Sequence, residues 1–130
     1  GKPVHIIGGA DVAVVATGTA LPRAHAAAGL LAAEGVSVRL INMHTIKPLD
    51  KELLIQAARE TKAIVTVEEH YIAGGLGSAI AEALAEDCPV RMKMIGVNDR
   101  FASNGPYEEL LGLYGLQAEQ IADTVKSFLG

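Results

Sequence analysis

Short apolar runs alternate along the chain with longer stretches in which apolar residues recur at helical spacing. Val4 to Ile7, Val12 to Ala16 and Ala63 to Val67 are too short for helices and rich in β-branched residues, so they predict buried strands. Val36 to Ile41 and Val90 to Ile95 show the same character. The pattern therefore predicts five strands.

Helical spacing fills the intervals between most of these strands. Three helices are predicted there, over Ala24 to Ala33, Lys51 to Glu60 and Ser78 to Ala85, and two more near the end, over Pro106 to Leu111 and Ala118 to Phe128. Pro22 suits a first helical turn, and Gly35 suits the end of the same helix. Asp50 is the expected N-cap of the next one.

The alternation of strands and helices predicts the fold class. It implies right-handed crossovers and a mainly parallel sheet covered by helices on both faces, which is a three-layer α/β/α sandwich. We find no linker that divides residues 1–130, so the chain is expected to form a single domain. In such sheets ligands and partners meet the carboxyl ends of the strands. That edge collects Thr17 to Thr19, Asn42 to Leu49, Glu68 to Gly77 and Gly96 to Gly105.

A glycine-rich loop lies between a strand and a helix in the stretch VEEHYIAGGLGSAIAEAL, from Val67 to Leu84. A dinucleotide fingerprint would need a small residue where Ile80 stands, and no Gly-Lys-Ser/Thr follows any glycine run. We interpret the glycines as a sharp turn that packs a helix closely on the sheet. The alternative is an anion held by free amides at the helix starts near Leu21 and Ser78. The residues concerned are Thr17, Gly18, Thr19, Gly74, Gly75, Gly77 and Ser78.

Two polar groups at the same edge are further candidates. His70 follows Glu68 and Glu69, and an imidazole beside a carboxylate can move protons. The four histidines lack metal-ligand spacing, so a hydrogen-bonding role in the interior or at an interface is favoured over zinc. Asp99 and Arg100 lie in a polar loop, where they are expected to form an ion pair across a subunit contact or, alternatively, to contact a ligand.

The amino-acid composition limits which binding partners and which cellular compartment are expected. A net charge of −4 and only five aromatic residues, three Tyr and two Phe, argue against nucleic acid. Cys88 is the only cysteine, which excludes an internal disulfide and fits a reducing, cytoplasmic environment. No apolar run approaches the roughly 18 residues of a membrane span, so no membrane partner is expected. The chain lacks an initiator methionine, which favours a piece of a longer protein.

Four segments in order carry a resemblance to a known family: VAVVATGTAL, VRLINMHTIKPLD, AIVTVEEH followed by GGLGSAIAEAL, and IGVNDRF followed by EELLGLYGL. Together they resemble the C-terminal domain of transketolase-type, thiamine-diphosphate-dependent enzymes, over nearly the whole chain. 1-Deoxyxylulose-5-phosphate synthase has a similar domain, and the β subunits of 2-oxoacid dehydrogenases have a more distant one. His70 and the sequence Tyr114-Gly115-Leu116 resemble transketolase more than these relatives.

The resemblance implies a five-stranded sheet whose first strand runs antiparallel at one edge. It also implies that thiamine diphosphate and Mg²⁺ are bound by other domains or a separate subunit of a homodimeric parent enzyme. That enzyme would transfer a two-carbon ketol unit between sugar phosphates. This chain has no GDG motif and no residue at a catalytic position of the family. We therefore expect it to support the structure and the dimer, to bind no cofactor or metal itself and to be inactive alone.

Two further expectations accompany this interpretation. Gln117 stands where the family usually places a good N-cap such as threonine, so the start of the last helix is expected to fray. The rival function is a free-standing regulatory or docking module that binds a small anionic metabolite at Thr17 to Thr19 and Gly74 to Ser78.

Overall fold

The computed structural model describes residues 4–43, 49–71, 75–97 and 107–130 of the chain. Within these ranges no helix is both long and apolar enough to cross a membrane.

The described residues form one five-stranded sheet. Its strands are β1 (Val4–Ile7), β2 (Val12–Ala16), β3 (Val38–Asn42), β4 (Ala63–Tyr71) and β5 (Arg91–Val97). Their order across the sheet is β1-β3-β2-β4-β5. The strand β1 pairs antiparallel with β3 at one edge, and the other pairs are parallel. The predicted fold class is confirmed, including the antiparallel first strand.

Five α-helices accompany the sheet in the described part of the chain. They are α1 (Leu21–Ala33), α2 (Lys51–Glu60), α3 (Leu76–Leu84), α4 (Tyr107–Leu113) and α5 (Ala118–Leu129), and a short 3-10 helix, Gly18–Ala20, precedes α1. Several boundaries differ from the prediction by one to four residues, and two of these differences lie at the glycine-rich loop. The helix α3 begins at Leu76 rather than Ser78, and β4 continues to Tyr71 rather than ending at Val67. Periodicity alone did not reveal either extension, because polar residues and glycines occupy both.

The core consists of two apolar layers, one on each face of the sheet. Alternate residues of β2 point to opposite faces, so Val14 lies in the layer beneath α1 and α5, whereas Val15 lies in the layer beneath α2 and α3. Leu31 and Ile121 fill the first layer, and Ile80 fills the second without exposure to solvent. Each such side chain stabilises the fold by about 1.5–3 kcal/mol. The predicted three-layer architecture follows from this double burial.

The helix ends test the capping residues that the sequence predicts. The Asp50 carboxylate accepts a hydrogen bond from the Leu53 amide at 3.1 Å, which confirms the predicted N-cap. Gly35 has a φ of +84° just after α1, as a glycine that ends a helix should. The expected fraying at Gln117 is not what the structure shows. Gln117 and Gln120 form a capping box, in which Gln120 Oε1 accepts from the Gln117 amide at 3.1 Å.

Candidate functional site

The carboxyl ends of β2 and β4 lie side by side in the sheet. Ala16 pairs with Val67, so the residues that follow each strand are neighbours at one edge. Glu68 and Glu69 continue β4 beyond this pair, and the 3-10 helix follows β2. This edge is where ligands meet a parallel sheet, and it is the site that the sequence predicts.

The side chain of Glu68, in β4, caps the start of α3. Its side chain has 0% exposure. One carboxylate oxygen accepts the Leu76 amide at 2.8 Å, and the other accepts the Gly77 amide at 3.0 Å. A carboxylate at a helix N-terminus is favoured both by these charge-assisted bonds and by the helix dipole. Glu68 therefore takes the two amide donors that an external anion would need at this helix.

Glu69 makes a second set of contacts, with residues before and within α1. Its carboxylate accepts the Thr19 hydroxyl at 2.6 Å and forms an ion pair with the Arg23 guanidinium. Arg23 Nε in turn donates to the Leu116 carbonyl at 3.0 Å. The side chains of Arg23 and Glu69 are only 18% and 14% exposed. We call these four residues the Glu69 network.

The two consecutive glutamates serve different helices because neighbouring strand residues point to opposite faces. Glu68 bonds to α3, which packs on the face with α2, and Glu69 bonds to Arg23 of α1, on the opposite face. Sequence reasoning noted the alternation but assigned no partner to either residue and missed Arg23. The available signal was a pair of acidic residues at a buried strand end, close to two helix starts.

The structure places the predicted site residues as follows. Thr17 is half-buried, Gly18 and Thr19 are exposed, Gly75 and Gly77 are buried, and Ser78 is half-buried, all at the carboxyl edge. His70 lies in β4 by its backbone, and its side chain is outside the described part. Gly74, Asp99 and Arg100 lie outside the described residues. Anion binding and interface formation by these residues stay predictions, and the geometry favours the packing interpretation of the glycine loop.

Gly77 shows that close packing directly. A Cβ atom added there would lie 2.7 Å from both Thr66 Oγ1 and Met94 Cγ. Thr66 is buried in β4, directly beneath the helix. Because Thr66 is held in the buried strand, an added Cβ would force α3 or the Met94 side chain to shift, so glycine lets α3 approach the sheet this closely.

We expect Gly77→Ala to lower the free energy of unfolding by about 1–3 kcal/mol, because the added methyl overpacks this contact. Urea denaturation of the two proteins measures the difference. The matched control is Gly29→Ala, in the middle of α1, where an added Cβ meets nothing within 4 Å. That variant should be unchanged or about 0.5–1 kcal/mol more stable. Equal stability of the two variants would contradict the packing role.

Ion pairs elsewhere on the surface shift pKa values without forming a site. The hydrogen bond and charge of Lys51 lower the pKa of Asp87, and the same contacts raise that of Lys51. Glu34 similarly raises the pKa of Lys126. The Asp87 contribution to stability is present above its usual pKa and is lost as pH falls through the lowered value. The side chains of both pairs are exposed, so solvent screens them.

Comparison with known proteins gives the family. The model of the family "Transketolase, C-terminal domain" matches residues 1–121. The chain is 42% identical over 130 residues to 1-deoxy-D-xylulose-5-phosphate synthase of Syntrophotalea carbinolica, covering 99% of this chain. It is 41% identical over 121 residues to the 6-deoxy-6-sulfo-D-fructose transketolase subunit SqwH of a Clostridium species, covering 93% of this chain.

A solved structure has the same fold. It is described as a split-gene transketolase in the form of an inactive β4 tetramer, and it matches with a TM-score of 0.93 and 42% identity over 98% of this chain. The chain spans only part of each of these proteins: 20% of the synthase, 38% of the Clostridium subunit and 42% of the solved chain. The family match over most of its length, together with the shared fold, shows that the chain belongs to the transketolase C-terminal domain family.

Proposed function

We propose that this chain is the C-terminal domain of a thiamine-diphosphate-dependent, transketolase-like enzyme that transfers a two-carbon ketol unit between sugar phosphates. Its own contribution is structural: it supports the dimer and the packing of the other domains. The observation that carries this proposal is that the chain's own side chains bond to polar groups at the carboxyl edge of the sheet. Glu68 and Glu69 already bond to the groups at the starts of α3 and α1 that a ligand would use.

The described residues do not fit the cofactor's diphosphate and metal ion. They include no group of three His, Cys, Asp or Glu side chains that could hold a metal. The Leu76 and Gly77 amides, which could hold a phosphate, donate to the Glu68 carboxylate instead. In the proposed parent enzyme, thiamine diphosphate supplies the carbanion chemistry and is held, with Mg²⁺, by other domains or a separate subunit.

A second reaction is a candidate for the proposed parent enzyme. A 1-deoxy-D-xylulose-5-phosphate synthase is 42% identical to this chain over 99% of the chain's residues. Formation of 1-deoxy-D-xylulose 5-phosphate therefore has as much support from similarity as ketol transfer. A 2-oxoacid dehydrogenase β subunit is the more distant alternative. For each parent we propose the same partners, the remaining domains or subunit and a second copy in a homodimer, and the same cytoplasmic location.

We expect the purified chain to show no turnover of a ketose phosphate donor with an aldose phosphate acceptor, with thiamine diphosphate and Mg²⁺ present. The physical reason is that the described amides at the start of α3 already donate to Glu68, and the described residues include no group that could hold a metal ion. A coupled assay for the new ketose phosphate measures this. Turnover that follows the chain through purification would contradict the proposal.

The positive control is the native polypeptide from the source cells, detected by immunoblot with an antibody against this chain. A band much larger than 13.5 kDa, with thiamine-dependent activity in the immunoprecipitate, supports a domain of a larger enzyme. Formation of the ketose phosphate or of 1-deoxyxylulose 5-phosphate then separates the two candidate reactions. A band at 13.5 kDa that brings down no partner subunit would overturn the proposed role.

A further inference from the structure

The Arg23 guanidinium lies where three parts of the chain meet. Arg23 belongs to the first turn of α1 and pairs with Glu69 at the end of β4. It also donates to the carbonyl of Leu116, in the turn that joins α4 to α5. Arg23 and Leu116 are 93 positions apart in the sequence, so this contact exists only in the folded chain.

We propose that the Glu69 carboxylate, by holding Arg23 in place, couples the end of β4 to the turn between α4 and α5. With Glu69 in place, the guanidinium is fixed where its Nε reaches the Leu116 carbonyl. Without that charge, the guanidinium is held less firmly at the Leu116 carbonyl, and the bond that ties the turn to α1 weakens. A change at the end of β4 is then transmitted to the C-terminal helices. This proposal concerns the fold of the chain itself and holds for each candidate parent enzyme.

The environment of the pair favours a strong coupling. Both side chains are largely buried, so water and salt screen their attraction less than that of surface pairs. The Thr19 hydroxyl donates to the second Glu69 oxygen at 2.6 Å, which fixes the orientation of the carboxylate. The planar guanidinium can donate to a carboxylate and a carbonyl at once, which a lysine ammonium does with less geometric definition.

The turn itself has few other polar anchors to the body of the domain among the described contacts. Gln120 Nε2 donates to the Gly112 carbonyl at 3.0 Å, and the Leu116 amide donates to the Leu111 carbonyl at 2.8 Å. Both bonds lie within the segment from α4 to α5 and do not tie it to α1. Leu111 and Leu116 add apolar contact with the core, so we expect local opening of the turn rather than detachment of the helices.

Hydrogen exchange of the intact chain, followed by mass spectrometry, tests this coupling. In Glu69→Gln, peptides covering residues 111–121 should exchange about tenfold faster or more, the factor that corresponds to one lost hydrogen bond to a charged group. Peptides covering β2 and β3 should change little. Arg23→Lys should give the same local pattern, and the double variant should add little to either single change.

The matched control is Glu34→Gln. Glu34 also ties α1 to α5, through Lys126 at 2.9 Å, but both side chains are about half exposed, at 51% and 43%. Its exchange should match the unmodified chain. If Glu69→Gln does not fold, Thr19→Val decides, because it removes only the hydroxyl that orients Glu69 and should give a smaller increase at the same place. An even increase over the whole chain, or none at 111–121, overturns the proposal.

Discussion

Glu68→Gln is expected to lower the free energy of unfolding by about 2–4 kcal/mol, a large part of the stability of a small domain. In the native chain both carboxylate oxygens accept buried amides at the start of α3. Glutamine has the same shape but only one acceptor oxygen, and its NH₂ group would face an amide N–H. One charge-assisted bond is lost, and one buried donor is left without an acceptor.

Urea denaturation monitored by circular dichroism measures this effect. The control is Glu82→Gln on the exposed side of the same helix, which should stay within about 0.5 kcal/mol of the unmodified chain. Hydrogen exchange at residues 76–79 should increase in Glu68→Gln and not in the control. If the two variants are equally stable, Glu68 is not the residue that caps α3.

Gly9→Ala is expected to lower the free energy of unfolding by about 3 kcal/mol. A Cβ atom at Gly9 would lie 2.4 Å from the carbonyl carbon and oxygen of Val38, at the start of β3. These are backbone atoms of a central strand, so a side-chain rotation cannot relieve the overlap. The backbone after β1 must move, which also strains the hydrogen bond at 2.9 Å from Arg39 Nε to the Gly9 carbonyl.

The neighbouring Gly8→Ala is the matched control, because an added Cβ there meets nothing within 4 Å. It should be as stable as the unmodified chain or slightly more stable, since alanine restricts the unfolded chain. Urea denaturation compares the two variants, and hydrogen exchange should increase over residues 4–9 and 38–42 in Gly9→Ala alone. A stable Gly9→Ala variant would show that β1 can pack on β3 in another way.

The sequence determined the elements and the fold class of this protein. Short β-branched runs and helical spacing gave the five strands and the helices, because both patterns are local consequences of which face is buried. Asp50 and Gly35 marked helix ends correctly for the same reason, since a cap acts within a few residues. The ordered segments of the resemblance added the antiparallel first strand, which periodicity cannot indicate.

Only the tertiary structure decided which groups Glu68 and Glu69 contact at the carboxyl edge. The glycine pattern favoured a packing turn but left an external anion at the two helix starts as the alternative, because the helix-start amides are there in either case. Which acceptor occupies them depends on how β4, α1 and α3 come together. Glu68 lies 8 positions from Leu76, and Glu69 lies 50 positions from Thr19. A carboxylate bonds to the donors that folding brings within 3 Å of it, and that distance is set by packing of the whole sheet rather than by neighbouring residues.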